Sequence, residues 1–188
     1  MKGKTLKLSA LIMMLTVSMN TYAESYNNIT IKTGSFTLDT ENQTIDSTSV
    51  TFNTSSSTVY AIEYERKLRN NLSFGGELIS YKNTFIPGNS KANVTHVFAN
   101  FKKYFDVTTY VHPFIGVGAG VSTVSLSGGF GGTADGFGVQ FMAGIKFPFE
   151  DVSAVVEYKV ISADPSDDFG SSVDLSGDGL FAGIAINF

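Results

Sequence analysis

The sequence predicts an all-β chain, an eight-stranded antiparallel up-and-down transmembrane β-barrel. Three observations lead to this prediction. Apolar and polar residues alternate with a period of two along most of the chain, and no long segment keeps the spacing of an amphipathic helix. The connections between the alternating segments are short and long in turn. The alternation also continues to the last residue, Phe188.

The first residues predict a secretory signal peptide. Lys2, Lys4 and Lys7 form a basic start, an apolar run covers 8–19, and a small-x-small cleavage site ends at Ala23. The apolar run is shorter than the roughly 20 residues that a membrane-spanning helix needs. We therefore expect residues 1–23 to be cleaved and residues 24–188 to form one barrel domain.

Composition excludes several classes of protein. The net charge of the whole chain is −4 and becomes more negative without the lysines of the signal peptide, which argues against a nucleic-acid partner. The sequence has no cysteine, so the fold cannot depend on disulfides. No later segment is long and apolar enough to predict a transmembrane helix.

The turn-forming clusters divide the domain into eight strands. Connections after the second, fourth and sixth strands are tight, whereas the others are longer, up to the Ser/Thr/Asn-rich stretch 40–55. A barrel with short turns at one end and long loops at the other is typical of the bacterial outer membrane, whereas a soluble sandwich has shorter strands. The strands are predicted near 26–38, 56–68, 71–85, 92–105, 109–125, 136–149, 152–163 and 175–188.

The last strand shows the alternation most clearly. Five apolar side chains share the face that we expect to meet lipid, and this strand must close against the first one so that no edge remains. They are Leu180, Ala182, Ile184, Ile186 and Phe188.

Two segments and the last residue resemble a known family. The hairpin 62–78 (IEYERKLRNNLSFGGEL), the segment 110–122 (YVHPFIGVGAGVS) and Phe188 resemble the eight-stranded outer-membrane β-barrels of Gram-negative bacteria, namely OmpA-like and OmpX-like barrels and Opa-type surface antigens. The resemblance implies an integral outer-membrane protein with periplasmic termini, in contact with membrane lipid and lipopolysaccharide. It also implies that Phe188 is an assembly signal for the barrel-assembly machinery. We expect no second, peptidoglycan-binding domain after the last strand.

Side chains fill an eight-stranded barrel, so the inward residues predict a plug and not an open pore. Across the tight turn 150–151, Lys146 faces Val155 or Glu157 depending on register, so Lys146 and Glu157 are candidate partners. Glu63 and Glu77 lie at similar depth, so a lysine such as Lys102 should separate them. Parity predicts a balanced inward set, which suits a water-poor interior because a buried unpaired charge is costly. The set is Lys32, Glu63, Glu65, Glu77, Lys102, Lys146, Glu157 and Lys159.

The two histidines, His96 and His112, are weak candidates for chemistry. They lie on neighbouring strands roughly 15 Å apart in height, too far for one metal site. Lipid A deacylases built on this fold carry a histidine–serine pair on the lipid-facing wall, but the segment 95–100 lacks the serine and parity turns His96 inward. We expect His96 to be a satisfied interior residue and not a catalytic base.

An acidic loop follows the seventh strand. Its spacing does not match the calcium loop of EF-hands, so a solvated loop is the default, with cation bridging to lipopolysaccharide phosphates as the alternative. We predict no resident metal and no cofactor. The weak metal candidates are Asp164, Asp167, Asp168, Asp174 and Asp178.

These features predict a monomeric, non-enzymatic outer-membrane barrel with a plugged polar lumen. Its exposed loops would act in surface contact with an extracellular ligand, in adhesion, or in envelope integrity. Two other classes stay open: a lipid-active membrane enzyme, and a narrow carrier for small hydrophobic compounds, which the inward Phe98, Met142 and Phe181 would suit.

Overall fold

Eight antiparallel strands close into a barrel in the computed structural model, which describes residues 27–39, 42–45, 48–51, 56–85, 90–127, 132–166 and 174–188. The predicted signal peptide lies outside the described residues. The fold class and all eight predicted strands are confirmed. The barrel strands are β1 Asn27–Leu38, β4 Ser57–Lys67, β5 Leu72–Phe85, β6 Ser90–Tyr104, β7 His112–Ser127, β8 Gly132–Phe149, β9 Val152–Ala163 and β10 Gly177–Asn187.

The first and last described residues lie at one end of the barrel, which we call the short-turn end. The connections 68–71, 105–111 and 150–151 lie at the same end. Asn70, Asn71 and Glu150 have positive φ in these turns, a conformation that asparagine tolerates better than most residues. The middle connection is longer than predicted because Thr108 and Val111 form a separate bridge before β7 begins. Within the described residues, no helix has the length and apolar character needed to cross a membrane.

The barrel closes through its first and last strands, down to the final residue. β1 pairs with β10 over its whole length and with β4 on its other side. The backbone N–H of Phe188 donates to the carbonyl of Asn27, and the N–H of Asn27 donates to the carbonyl of Phe188, each at 2.9 Å. With β1 paired on both sides, no strand of the eight-stranded barrel has a free edge, which accounts for the apolar alternation up to Phe188.

The opposite end, the long-loop end, holds structure that the sequence did not predict. A hairpin of β2 Asn42–Ile45 and β3 Thr48–Thr51 lies within the connection from β1 to β4. The strands β5 to β8 have 14 to 18 residues, more than the roughly 9–11 that cross a membrane. This side of the barrel wall therefore projects beyond a bilayer at the long-loop end.

The outer surface carries a band of exposed apolar side chains that ends sharply toward the long-loop end; we call this limit the upper boundary. In one row of the sheet, Leu78, Val97, Val121 and Phe137 face outward across β5 to β8. The next row toward the long-loop end is polar, and there the Thr123 hydroxyl donates to Asp135 at 2.8 Å. An exposed apolar surface of this extent is suited to lipid and not to water.

Candidate functional site: the barrel lumen

The lumen is filled by three layers of buried side chains. A charged layer crosses the middle, and a small apolar cluster that includes Tyr104, Phe114 and Met142 lies on its short-turn side. A larger apolar cluster, which we call the apolar layer, fills the long-loop side and includes Phe36 and Phe98. The sequence predicted a polar lumen, but the lumen is polar only in part. The charges occupy its middle, and the long-loop side is packed with apolar residues.

Lys32 lies at the centre of the charged layer. Its Nζ is 2.6 Å from the Glu63 carboxylate, 2.8 Å from Glu77 and 2.5 Å from Glu157. All four side chains are at most 2% exposed. One ammonium group thus contacts carboxylates from three different strands, which ties β1, β4, β5 and β9 together inside the barrel.

Two further lysines complete the charged layer. Lys102 contacts Glu63 at 2.7 Å and Glu65 at 3.4 Å, and Lys159 contacts Glu77 at 2.5 Å and Glu157 at 3.0 Å. Aromatic rings cover both lysines, because Lys102 Nζ lies 4.9 Å from the Phe114 ring centroid and Lys159 Nζ lies 5.4 Å from that of Phe181. Such contacts further stabilise buried cations.

Two buried amides belong to this layer, and neither was among the inward residues predicted from the sequence. Asn100 donates to Glu63 at 3.2 Å and to Glu77 at 3.1 Å, and Gln140 donates to Glu77 at 3.0 Å and to Asn100 at 2.7 Å. Gly118 leaves the space for them, since a Cβ there would lie 2.8 Å from Gln140 Cγ. Inward parity on β6 and β8 was the signal that could have identified both amides.

The structure decides two pairings that the sequence left open. Lys146 is opposite Val155 and makes no ion pair with Glu157, which instead contacts Lys32 and Lys159. Glu63 and Glu77 are directly opposite each other, as expected, but Lys32 and not Lys102 bonds to both. Lys32 bonds to Glu77 and Glu157 on strands that are two positions away from β1 in the barrel order, and hairpin neighbours alone do not predict such contacts.

All eight sequence-selected charged residues are buried, at 0–3% exposed, and seven of them form this single network. Lys146 lies apart, toward the short-turn end. Glu65 marks the lower edge of the network, where it accepts hydrogen bonds from Tyr104 at 2.8 Å and from Asn28 at 3.3 Å. Each of the eight barrel strands except β7 and β10 contributes a charge or an amide to this network. The inward positions of β7 near this level are glycines.

His96 has a serine partner that the sequence motif did not contain. Its Nδ1 lies 2.7 Å from the Ser122 hydroxyl on β7, and its Nε2 lies 3.4 Å from the Tyr81 hydroxyl. The ring stacks on Phe98 at 5.6 Å between centroids. His96 and Ser122 are both fully buried and face the lumen, not the lipid. No carboxylate hydrogen-bonds this histidine among the described residues.

The predicted metal candidates do not converge in the described part of the chain. Asp167 and Asp168 lie outside the described residues, and Asp174 accepts a hydrogen bond from the backbone of Ser176 at 2.7 Å. His112 lies at the short-turn end, far from His96. Among the described residues, no three His, Asp or Glu side chains are grouped to hold a metal ion.

The closed barrel, its apolar outer band and its filled interior define a transmembrane β-barrel protein. No protein-family model and no curated protein matches the sequence. The structure resembles Neisserial surface protein A, with a TM-score of 0.68 and 16% identity over 88% of this chain and 100% of that chain. The fold is that of the outer-membrane β-barrels.

Two other solved structures support the same class. Ail of Yersinia pestis, in complex with the heparin analogue sucrose octasulfate, has a TM-score of 0.59 and 13% identity over 88% of this chain and 100% of that chain. OprG from Pseudomonas aeruginosa has a TM-score of 0.57 and 12% identity over 86% of this chain and 96% of that chain. The expected resemblance to outer-membrane barrels is thereby confirmed at the level of fold.

Proposed function

We propose that this protein is a non-enzymatic outer-membrane barrel with a plugged lumen, which acts as a rigid anchor for surface contact, adhesion or envelope integrity. The observation that carries the proposal is the filled interior, in which a charged layer bonded around Lys32 and Glu77 is packed against the apolar layer. A barrel filled in this way has no space for a diffusing solute. Its available surfaces are the outer wall and the two ends.

The orientation is part of the proposal. The short-turn end with Asn27 and Phe188 would face the periplasm, and the projecting wall of β5 to β8 would face outward, as is usual for outer-membrane barrels. Phe188, exposed at the lipid-facing rim, is proposed as the signal for the assembly machinery. The protein would act as a monomer among membrane lipid and lipopolysaccharide.

The class of extracellular partner is limited by charge. Ail, an attachment invasion locus protein, is seen with a heparin analogue, and by analogy of fold this supports a role in surface contact. The present chain has a net charge of −4, which does not favour a polyanion such as heparin. We therefore propose a neutral or basic partner at the long-loop end.

The geometry favours this proposal over an enzyme or a carrier. Catalysis on lipid needs a histidine and a nucleophile open to the membrane, whereas His96 and Ser122 are fully buried in the lumen. A carrier for hydrophobic compounds needs a continuous apolar path. Here the charged layer, with Lys32 and Glu77 at its centre, separates the apolar layer from the short-turn end.

Purified protein in planar bilayers is expected to give no steady conductance steps. The physical reason is the closed charged layer, because passage of an ion would require breaking several buried ion pairs at once. A general porin of the same preparation serves as the positive control. Reproducible large conductance steps that persist across independent preparations would contradict the plugged lumen and with it the proposed function.

A strain that lacks the protein is expected to lose adhesion to surfaces, resistance to detergent, or both. A matched strain carries the barrel with residues 40–55 replaced by a short turn between β1 and β4, so that the anchor remains and the largest connection is removed. If both strains lose adhesion and the matched strain keeps its detergent resistance, adhesion depends on residues 40–55. Parental behaviour of the deletion strain in both assays would reject the proposal.

A further inference from the structure

A pocket of about 380 Å³ opens at the short-turn end of the barrel, below the charged layer and apart from the network around Lys32. Five strands contribute to its walls: β4, β7, β8, β9 and β10. Its polar lining residues inside the mouth are Lys67, His112, Lys146, Ser153 and Asn187.

Lys146 is the buried cation of this pocket. It is 3% exposed, and among the described residues no carboxylate oxygen lies within 4.0 Å of its Nζ. The interior acid of this region, Glu65, is already bonded to Tyr104, Asn28 and Lys102. A buried ammonium without a carboxylate in contact is costly, so Lys146 itself lacks a close anionic partner in the described chain.

Two more polar groups of the pocket have incomplete hydrogen bonding in the described chain. The hydroxyl oxygen of Ser153 and the side-chain oxygen of Asn187 are buried, and neither has a hydrogen-bond partner among the described residues. Ser153 is fully buried and lies opposite Pro148 at the start of β9. Buried hydroxyls are nearly always satisfied, so an unpaired one that lines a pocket beside the buried Lys146 points to a ligand that accepts a hydrogen bond there.

We propose that this pocket binds a phosphate-class anion. Lys146 would supply the buried charge, Lys67 and His112 would contact the anion from β4 and β7, and the Ser153 hydroxyl would donate a hydrogen bond. Lys146 and His112 are direct cross-strand neighbours, which places both side chains at the same height. The exposed Glu150 and Asp151 at the rim favour a single compact phosphate over a polyanion.

The phosphate could belong to a small soluble ester or to a phospholipid headgroup. The pocket supports either source, because its rim includes the lipid-exposed Phe188 while its mouth opens at the end of the barrel. The chemistry that the site recognises is the same in both cases: a tetrahedral oxyanion that accepts hydrogen bonds from a lysine and a hydroxyl.

Calorimetric titration of the protein in a phosphate-free, non-ionic detergent tests the proposal. The probes are inorganic phosphate and, separately, a short-chain phosphatidylglycerol below its micellar concentration. Saturable binding of either probe is expected for the wild type. For Lys146→Met we expect binding to be roughly tenfold weaker, because a charge-assisted hydrogen bond from a buried ammonium is lost. Tighter binding of the lipid would indicate a headgroup, and equal binding a soluble ester.

Lys103→Met is the matched control, because Lys103 lies at the same end on the outside of the barrel, where it bonds to the carbonyl of Asn70. It should bind phosphate as the wild type does. The urea midpoint of Lys146→Met without phosphate is expected not to fall, since no ion pair is removed, so weaker binding would not reflect misfolding. Absence of binding by the wild type, or equal binding by Lys146→Met, would overturn the proposal.

Discussion

Replacing Glu77 with glutamine is expected to lower the free energy of unfolding by about 3–5 kcal/mol, the usual cost of removing one partner from a buried ion pair. Glu77 is fully buried and accepts bonds from Lys32, Lys159, Asn100 and Gln140. Without its charge, two lysines in the lumen lose a shared counter-charge. Reversible urea unfolding of the protein in lipid vesicles measures the effect.

Two controls separate this effect from the general loss of a carboxylate. Glu150→Gln removes an exposed acid at the short-turn end and should change stability by less than about 0.5 kcal/mol. The double variant Glu77→Met with Lys159→Met removes charges of both signs, so it should be more stable than Glu77→Gln alone. A stability of Glu77→Gln equal to that of the wild type would show that the charged layer does not hold the barrel together.

Replacing Val117 with arginine is expected to destabilise the membrane-inserted barrel by about 2–4 kcal/mol, the range for a cationic side chain near the bilayer midplane. Val117 faces outward on β7 between Ile115 and Ala119 and is opposite Phe101 and Phe141, all within the apolar band. Arginine at this position would have to remain in hydrocarbon or distort the bilayer. The same vesicle unfolding experiment reports the loss.

Thr123→Arg provides the matched comparison on the same strand and the same face. Thr123 lies in the polar row beside Asp135, beyond the upper boundary of the band, where the cost should be about 0–1 kcal/mol. Equal losses for the two variants would mean that the band between them is not the lipid-facing surface. The pair therefore tests the membrane boundary assigned to the row of Leu78 and Phe137.

The eight strands were predictable because a strand that separates lipid from a packed lumen must alternate at every residue, and this alternation is visible in the sequence. Parity also selected which lysines and glutamates turn inward. Asn100 and Gln140 share this inward parity, but parity alone does not distinguish an amide of the charged layer from any other inward polar residue. The hairpin β2–β3 was missed because its Ser/Thr/Asn-rich stretch looks like a loop.

Alternation and turn spacing in the sequence were enough to predict the architecture, the inward set of charges and the apolar alternation that continues to Phe188. The partners depend on the tertiary structure. Barrel closure brings Lys32 on β1 to Glu157 on β9, and the register of β6 and β7 places His96 directly opposite Ser122. The same closure left Lys146 below the network, opposite Val155 and without a carboxylate within reach in the described chain. Alternation has a period of two residues and shows which face a side chain occupies, whereas its partner depends on strand order, stagger and closure of the whole barrel.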